Sequence, residues 1–347
     1  MSFNVFNTFL FYKGVNMDSN EREYFYKYLV KHKDENIINF DNIIKYPNSL
    51  YRYRSVTMNN LSTLLNNEMY FSSSNYFDDP FDTNIYVSKK KIRDGIFQYL
   101  TNDNSLDIDK IQTDSKNIGL NINKFNVSQV KISKDIILQR AALLFNNVVA
   151  ALKKETLAVC FSESELNETL WLKYANNYNG FCIEYDINDI LELETLEKED
   201  KNKIVLYPII YTDEKYDETE FGKNFLIAQF LELSSNNDLF VSFVNEFNKK
   251  CKFDRELIAL IKKKCHEYDK EWRLIKTIKG PNIFTNCNEQ NVLFKVKIKP
   301  KSVTLGLRMN SNDKKTILTL AKQAGIQEIY ELYIDDDMNL NKKALKE

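Results

Sequence analysis

Hydrophobic and polar positions repeat with two different periods along this chain, which predicts a mixture of strands and helices. Leu50–Arg54 alternates at every second residue as a β-strand does, and Met69–Ser72 follows the same pattern. Between them, leucines spaced i, i+3, i+4 indicate an amphipathic helix over 58–67, with Thr57 as its N-cap. This strand–helix–strand unit is the most clearly marked part of the sequence.

The same two periods predict the elements of the remaining chain. Helices are expected over 20–33, 133–154, 164–177 and 311–324, and strands over 156–161, 180–185, 203–211, 271–278, 291–298, 303–308 and 328–334. Residues 102–132 are rich in Asn, Asp and Ser and look like an excursion from the fold.

Strands outnumber the helices that connect them, and this pattern favours an α+β fold. We expect a central mixed or antiparallel sheet with a C-terminal βαβ-like unit, and a helical insertion at about 214–268. The predicted organisation is an N-terminal helical segment over 1–49, a single α+β domain over 50–335, and a tail over 336–347.

Composition excludes several common classes of protein. A net charge of −1 over 347 residues gives no overall attraction to nucleic acid or to an anionic membrane, although a local basic groove stays open. Only 8 glycines occur, and no GxxxxGK[ST] or GxGxxG run is present, which disfavours P-loop and Rossmann nucleotide sites. With 2 histidines, neither a multi-histidine zinc site nor a Ser-His-Asp triad is expected.

Cysteine usage and the first residues indicate a cytoplasmic protein. The 5 cysteines are odd in number and none are spaced as CxxC, which is typical of a reducing compartment. The apolar start lacks the charged region and cleavage site of a secretory signal, and Met17 is an alternative start. No stretch approaches the length needed to span a membrane.

The strand LYRYR is the first candidate site. Strand alternation places Tyr51 and Tyr53 on one face, and Arg52 and Arg54 on the other. Paired arginines can hold phosphate or carboxylate groups through two hydrogen bonds each. The alternative is an edge strand whose arginines are simply solvated.

Two acidic sites follow. Asp78, Asp79 and Asp82 could hold Mg²⁺ or act as an acid–base pair, but a turn shaped by aspartate side chains is favoured, since no further ligands are evident. Glu184 lies in an otherwise apolar strand, where a buried carboxylate needs a partner. Nearby, Trp171 and Tyr174 share a helical face that is expected to be core.

The segment HEYDKEWRLIKTI is the last candidate site. Glu267, Asp269 and Glu271 are acidic at every second position as the chain enters a strand, and Arg273 shares the strand face of Glu271. Carboxylates at such an entry are candidates for catalysis. The alternative is a Glu271–Arg273 pair on the surface that contributes little.

Taken together, these segments resemble an uncharacterised bacterial family, catalogued as a domain of unknown function. The resemblance covers about 50–335. The motifs that carry it are LYRYR, FxDPF, CFS, WxxYA, GxCIEY and EWR, at 50–54, 77–81, 160–162, 171–175, 180–185 and 271–273.

The opening strand–helix–strand unit also resembles that of ADP-ribosyltransferases, and this resemblance implies that NAD is the substrate. It implies that Arg52 or Arg54 binds NAD and that Glu271 is the late catalytic glutamate, with Asp269 completing an acidic pair. The element that flanks nicotinamide would be Tyr70 with Ser72, or alternatively Ser162 with Ser164. The site implied by this resemblance has Glu271 and Arg54 as catalytic residues, and Arg52, Tyr53, Tyr70 and Ser72 as binding residues.

Three functions stay open on the sequence. The first is an NAD-consuming enzyme of this type, in the setting of a bacterial toxin or phage-defence effector, that modifies a protein or nucleic-acid target or simply hydrolyses NAD. The second is a non-catalytic module that binds a ligand or protein through LYRYR and the aromatic residues. The third is a Mg²⁺-dependent nuclease built on Asp78, Asp79, Asp82 and Glu184, although no D…[DE]xK motif accompanies them.

Overall fold

The fold is described from a computed structural model of the chain, in two compact units. The structure describes residues 14, 16–32, 43–83, 85–102, 146, 149–150, 153–196, 204–233, 255–277 and 294–345. The first unit takes in 1–83, 153–213 and 259–347, and the second takes in 84–152 and 214–258. The predicted domain boundaries stay a prediction. Most of the predicted helix over 133–154 and the Asn-, Asp- and Ser-rich segment over 102–132, apart from residue 102, lie outside the described residues.

A mixed sheet dominates the first unit and confirms the predicted α+β class. Within the described ranges it has ten strands, β1 Ser49–Arg54, β2 Glu68–Ser73, β3 Thr156–Ser162, β4 Phe181–Asp186, β5 Ile204–Pro208, β8 Glu271–Thr277, β9 Phe294–Lys297, β10 Ser302–Leu305, β11 Glu328–Ile334 and β12 Leu340–Ala344. Their order in the sheet is β12-β11-β10-β4-β1-β3-β2-β9, and β8 pairs with β3 and with β5. A separate pair consists of β6 Ile210–Tyr211 and β7 Ile261–Lys262.

The first helix, α1 Ser19–His32, agrees with its predicted bounds to within one residue. Its buried residues are Arg22, Phe25 and Leu29, whereas Tyr24 is 61% exposed. The arginine is buried because its guanidinium donates to the main-chain oxygens of Ile209 and Glu271, each at 2.9 Å. A charged side chain thus occupies a position that a hydrophobic pattern cannot identify.

The strand–helix–strand unit is present as predicted. Helix α2, Met58–Leu65, follows β1 and is capped by Thr57, whose side chain accepts from the main-chain N–H of Asn60 at 3.3 Å. Strand β2 then returns to the sheet, where β1 and β2 both pair with β3. Because β8 occupies the other edge of β3, β1 and β2 lie along the same edge, near opposite ends.

The predicted helix over 164–177 is much shorter in the structure. Helix α4, Glu168–Lys173, begins at the N-cap Asn167 and gives way to turns, in which Asn176, Asn177 and Tyr178 have positive φ. Gly180 follows these turns and directly precedes β4. Glycine is needed at this position because an added Cβ would lie 2.1 Å from the carbonyl oxygen of Arg54.

The segment between β4 and β8 contains more strand than predicted. The expected strand over 203–211 is interrupted at Ile209, which separates β5 from β6. The end of the expected helical insertion holds strand β7 and a 3₁₀ helix, Lys264–Asp269, instead of α-helix. Helix α5, Ile187–Leu196, follows β4 and packs on β5.

The C-terminal βαβ unit is confirmed. Strands β10 and β11 are parallel neighbours joined by helix α8, Ser311–Gln323. Strand β12 pairs antiparallel with β11 inside the segment expected to be a tail. The sequence signal was weak there because LNKKA carries too few apolar residues to alternate.

The second unit is helical in its described part. Helix α3, Lys89–Asn102, packs beside α6, Thr219–Leu233. A short helix, α7 Arg255–Ile258, is the last described element of this unit. These two helices, α3 and α6, pack so closely that a Cβ added to Gly222 would lie 2.9 Å from the side chain of Ile92. Before α3, the main-chain N–H of Ser88 donates to Thr219 Oγ1 at 2.8 Å.

Candidate functional site

One row of polar side chains crosses three strands on the same face of the sheet. Directly opposite residues of antiparallel strands project to the same face. Ser162 lies opposite both Tyr51 and Glu271, and Cys160 lies opposite Arg273. The pairing therefore brings the EWR motif next to the tyrosine face of LYRYR.

A cavity of about 240 Å³ lies over this row. Its polar wall comes from β8, β7, the 3₁₀ helix before β8 and the loop after β2. The aromatic wall comes from β1, α4 with its following turn, and the same loop. The aromatic residues that line it are Tyr51, Tyr53, Tyr76, Phe77, Phe161 and Tyr174.

The polar wall is a chain of alternating charges, Asp82–Arg273–Glu271–Lys262–Asp269, named here the charge chain. Arg273 holds Asp82 through two hydrogen bonds of 2.8 and 2.5 Å and reaches Glu271 Oε1 through Nε at 2.6 Å. Lys262 Nζ then bridges Glu271 Oε2 at 2.8 Å and Asp269 Oδ2 at 2.6 Å. All five residues are buried and all five line the cavity.

Electrostatics keep Glu271 ionised in spite of its burial. Burial alone would raise the pKa of Glu271, but Arg273 and Lys262 more than compensate and lower it to about 2. Conversely, the neighbouring carboxylates raise the pKa of Lys262 and of Arg273 against the effect of burial. Burial, followed by the charge of Glu271, raises the pKa of the Cys160 thiol, so this cysteine stays protonated and unreactive.

The turn before β8 sets the positions of Asp269 and Glu271. Lys270, between them, has a left-handed backbone with φ of 43°. Ser162 Oγ donates to the carbonyl oxygen of Asp269 at 2.8 Å, and the main-chain N–H of Glu271 donates to Tyr211 Oη at 2.7 Å. The two carboxylates are therefore held by the main chain as well as by Lys262.

The aromatic wall is also anchored. Tyr53 Oη donates to the carbonyl oxygen of Ser164 at 2.6 Å, and its ring meets Trp171 edge to face at 5.3 Å between centroids. The guanidinium of Arg273 lies 4.9 Å from the ring centroid of Phe77, which joins the two walls. Tyr76, by contrast, is 70% exposed at the edge of the cavity.

The structure brings together most, but not all, of the residues named for the NAD site. Glu271, Arg52, Arg54, Tyr53 and Ser72 line the cavity, and so does Ser162 of the alternative serine element. Tyr70 is not among the lining residues. Its hydroxyl donates to Glu68 Oε2 at 3.3 Å.

Strand pairing sets the side chains of Arg52 and Arg54 apart from that of Glu271, although all three residues line the cavity. Glu271 belongs to the row that contains Tyr51, so strand alternation directs the Arg52 and Arg54 side chains to the opposite face. Arg52 instead donates to the carbonyl oxygen of Tyr70 at 3.4 Å, and burial lowers the pKa of its guanidinium. The cations beside Glu271 are Arg273 and Lys262.

The acidic residues considered for Mg²⁺ have other partners. Asp82 is committed to Arg273, and Phe81 N–H donates to Asp79 Oδ1 at 2.9 Å, as in the expected aspartate turn. Glu184 accepts from Ser49, Ser302 and Lys301, each at 2.7 Å. Among the residues that the structure describes, no group of three or more His, Cys, Asp or Glu side chains could hold a metal ion.

Lys262 was not predicted, and Arg273 was named only as a neighbour of Glu271 on its strand face, with a surface ion pair as the alternative. Arg273 is 1% exposed, so the surface pairing with Glu271 is in fact a buried one. The signal for it was a pair of charged residues, Glu271 and Arg273, in an otherwise apolar strand segment, EWRLI, because buried charges need partners. Lys262 lies in a lysine-rich run that resembles an exposed helix, and no sequence signal separated it from its neighbours.

A comparison with known protein families now adds to this geometry. Residues 170–274 match the model of a family described as protein of unknown function (DUF2971). This supports the predicted resemblance to an uncharacterised family over a segment that begins in α4 and includes Glu271 and Arg273.

Neither curated proteins nor solved structures give a significant match. Within the described ranges, no helix is both long and apolar enough to cross a membrane.

Proposed function

We propose that the cavity binds NAD and that the protein cleaves the bond between nicotinamide and ribose, in the manner of ADP-ribosyltransferases or NAD hydrolases. The observation that carries this proposal is the ionised, buried carboxylate of Glu271 in a cavity with an aromatic wall. Such a cavity suits a flat cationic ring attached to a sugar.

The chemistry needs a fixed negative charge rather than a base. When the glycosidic bond breaks, its electron pair leaves with nicotinamide and positive charge develops on the ribose. A carboxylate held in place stabilises this charge electrostatically. Water, or a nucleophile of a target molecule, then bonds to the anomeric carbon and loses a proton. Because the pKa of Glu271 is about 2, this residue would act as the stabilising charge throughout.

Aromatic residues would hold the nicotinamide ring. Tyr51, Tyr76 and Tyr174 line the cavity, and aromatic side chains favour flat ligands that can stack on them. The excess of carboxylates over cations among the charge chain favours a ring that carries positive charge. Arg54 ends β1 and lines the cavity, so it stays our candidate for the pyrophosphate, although its side chain starts from the opposite face of the sheet.

The direct test measures nicotinamide released from NAD by the purified full-length chain, with and without bacterial lysate as a source of targets. We expect release by the wild type and loss of at least about a hundredfold in Glu271→Gln, as when a charge-stabilising group is removed from an active site. The matched control is Glu331→Gln, a half-buried carboxylate on β11 paired with lysines outside the cavity. Absence of release by the wild type in both conditions would refute the proposal.

A second variant separates activity from folding. Tyr76 is 70% exposed, so Tyr76→Ala should leave the melting temperature unchanged. If Tyr76 stacks on the ligand, the KM for NAD should rise about tenfold while kcat changes little, because stacking on an aromatic side chain contributes about 1–3 kcal/mol. Tyr24→Ala, on the exposed face of α1, is the control and should alter neither constant.

The setting we propose is the bacterial cytoplasm, in a toxin or phage-defence effector that consumes NAD. The described cysteines Cys160, Cys182 and Cys265 are free thiols, which suits a reducing compartment. Induced expression of the wild type should lower cellular NAD and slow growth, and Glu271→Gln should do neither. Binding of NAD without cleavage would instead favour the non-catalytic binding module.

A further inference from the structure

The ladder between β5 and β8 opens one residue beyond its last pair, Pro208 with Trp272. Ile209 and Glu271 come next in the same register, and the N–H of Ile209 donates to the carbonyl oxygen of Glu271 at 3.0 Å. In a regular antiparallel pair the N–H of Glu271 would return this bond. It donates instead to Tyr211 Oη at 2.7 Å, so the carbonyl oxygen of Ile209 needs another donor.

Arg22 of α1 supplies that donor. The two N–H groups of its Nη1 lie between two carbonyl oxygens, that of Ile209 and that of Glu271, each 2.9 Å from the nitrogen. A side chain thus takes the place of the missing main-chain bond and joins the two segments where the ladder opens. Because a buried carbonyl oxygen needs a donor, the break in the ladder depends on this arginine.

The charge of Arg22 is neutralised on the face of the sheet opposite the cavity. Its Nη2 binds Glu163 Oε1 at 2.6 Å, and Trp272 Nε1 donates to the same oxygen at 2.6 Å. Trp272 follows Glu271 by one residue, so strand alternation directs the two side chains to opposite faces. Arg22, Glu163 and Trp272 are all buried, and together they hold β8 from behind.

The break in the ladder also determines where Lys262 lies. Strand β6 turns away from β8 after Ile209 and pairs with β7 instead. The N–H of Thr212 donates to the carbonyl oxygen of Lys262 at 2.9 Å, which fixes the main chain of that lysine. Its Nζ then reaches Glu271 Oε2 at 2.8 Å. The interruption that Arg22 stabilises therefore brings Lys262 to Glu271.

We propose that Arg22 is a positioning residue, which sets the main chain of Glu271 and the approach of Lys262 to it from the face opposite the cavity. The inference rests on the proposed function for the reaction that Glu271 serves, but not for the geometry. Arg22 acts through these two residues and not on the ligand. Its loss should therefore lower kcat and leave the KM for NAD almost unchanged, since the aromatic wall comes from other segments.

The first measurement needs no substrate. The folded full-length protein is treated with acetic anhydride, and acetylation of Lys262 is quantified by mass spectrometry against the exposed Lys315 of α8. In the wild type, the Lys262 side chain is 5% exposed and its ammonium is held by two carboxylates, so it should react slowly. In Arg22→Met the lysine should be released and react at least about tenfold faster, since each unit by which its pKa falls raises the reactive fraction tenfold.

Leu29→Ala is the matched control. Leu29 is 4% exposed on the buried face of α1, so its truncation loosens the packing of the same helix without removing a hydrogen bond to Glu271. It should lower the melting temperature, as Arg22→Met does, but leave Lys262 labelling and kcat close to the wild-type values. Arg22→Lys keeps the charge opposite Glu163 but lacks the planar fork, so it should restore part of both properties.

The second measurement is nicotinamide release from NAD by the same variants. We expect kcat to fall about a hundredfold in Arg22→Met with KM within about twofold of the wild type, because a displacement of about 1 Å can cost that much. A positioning role would be overturned if Lys262 labelling, or kcat, were the same in Arg22→Met as in Leu29→Ala. Should Arg22→Met not fold, the same comparison with Arg22→Lys decides. Faster labelling without nicotinamide release by the wild type would overturn the proposed function and support the positioning of Lys262 by Arg22.

Discussion

Replacing Glu271 by glutamine should destabilise the protein by about 3 kcal/mol at neutral pH. The carboxylate is 5% exposed and is held by Arg273 at 2.6 Å and by Lys262 at 2.8 Å. Its pKa is lowered from 4.5 to about 2, and each pKa unit corresponds to about 1.4 kcal/mol of preference for the charged form. An independent guide is the cost of removing one partner from a buried ion pair, about 3–5 kcal/mol.

The pH dependence has a definite sign. Because the pKa of Glu271 is lower in the folded state, its contribution is complete above the unfolded pKa of about 4.5 and is lost as the pH falls towards 2. The difference in free energy of unfolding between wild type and Glu271→Gln should therefore be constant from about pH 5 to 7. It should decrease steadily below that interval, since protonation removes the same charge that the substitution removes.

Urea denaturation followed by tryptophan fluorescence is a suitable assay, since Trp272 is the next residue along β8. Glu331→Gln should cost less than about 1 kcal/mol, because that carboxylate forms only partly exposed pairs with Lys314 and Lys343. A cost below about 1 kcal/mol for Glu271→Gln would refute the electrostatic account of the charge chain. So would a cost that is the same at pH 3 and at pH 7.

Two further substitutions test how the cavity walls are held. Gly180→Ala places a Cβ 2.1 Å from the carbonyl oxygen of Arg54, so the main chain must shift and the melting temperature should fall. The control is Gly95→Ala, where the added Cβ meets only the flexible side chain of Lys223, and its melting temperature should fall less. Equal melting temperatures for these two variants would contradict the close approach of β1 and β4. Tyr53→Phe removes a buried hydroxyl that donates to Ser164, and it should cost about 1–2 kcal/mol in urea denaturation, against no measurable change for Tyr24→Phe on the exposed face of α1.

Local patterns predicted local structure well. The alternation in LYRYR, the leucine spacing after Thr57 and the parallel βαβ unit depend on neighbouring residues, and the structure confirms all three. The short α4 shows the limit of such patterns. Its apolar spacing continues past Lys173, but an Asn-Asn-Tyr turn with positive φ ends the helix first.

The candidate site depended on register, which a single sequence does not determine. Alternation separated the tyrosines from the arginines of β1, but only pairing with β3 decides which of the two sets shares a face with Glu271. A shift of one residue would have exchanged them, so the sequence alone could not determine that the tyrosines, and not the arginines, share a face with Glu271. Asp82 and Lys262 join the site through contacts between distant segments, and no local pattern indicates those contacts.

The strand order also has a consequence for how the chain acquires its structure during synthesis. Strand β4 lies between β1, which is made first of the three, and β10, which is made last. The centre of the sheet therefore cannot close until the ribosome has translated β10. Sheets that pair such distant segments fold slowly, because the chain loses the conformational entropy of a long loop before the stabilising contacts form. We expect the nascent protein to need protection by chaperones until β10 emerges.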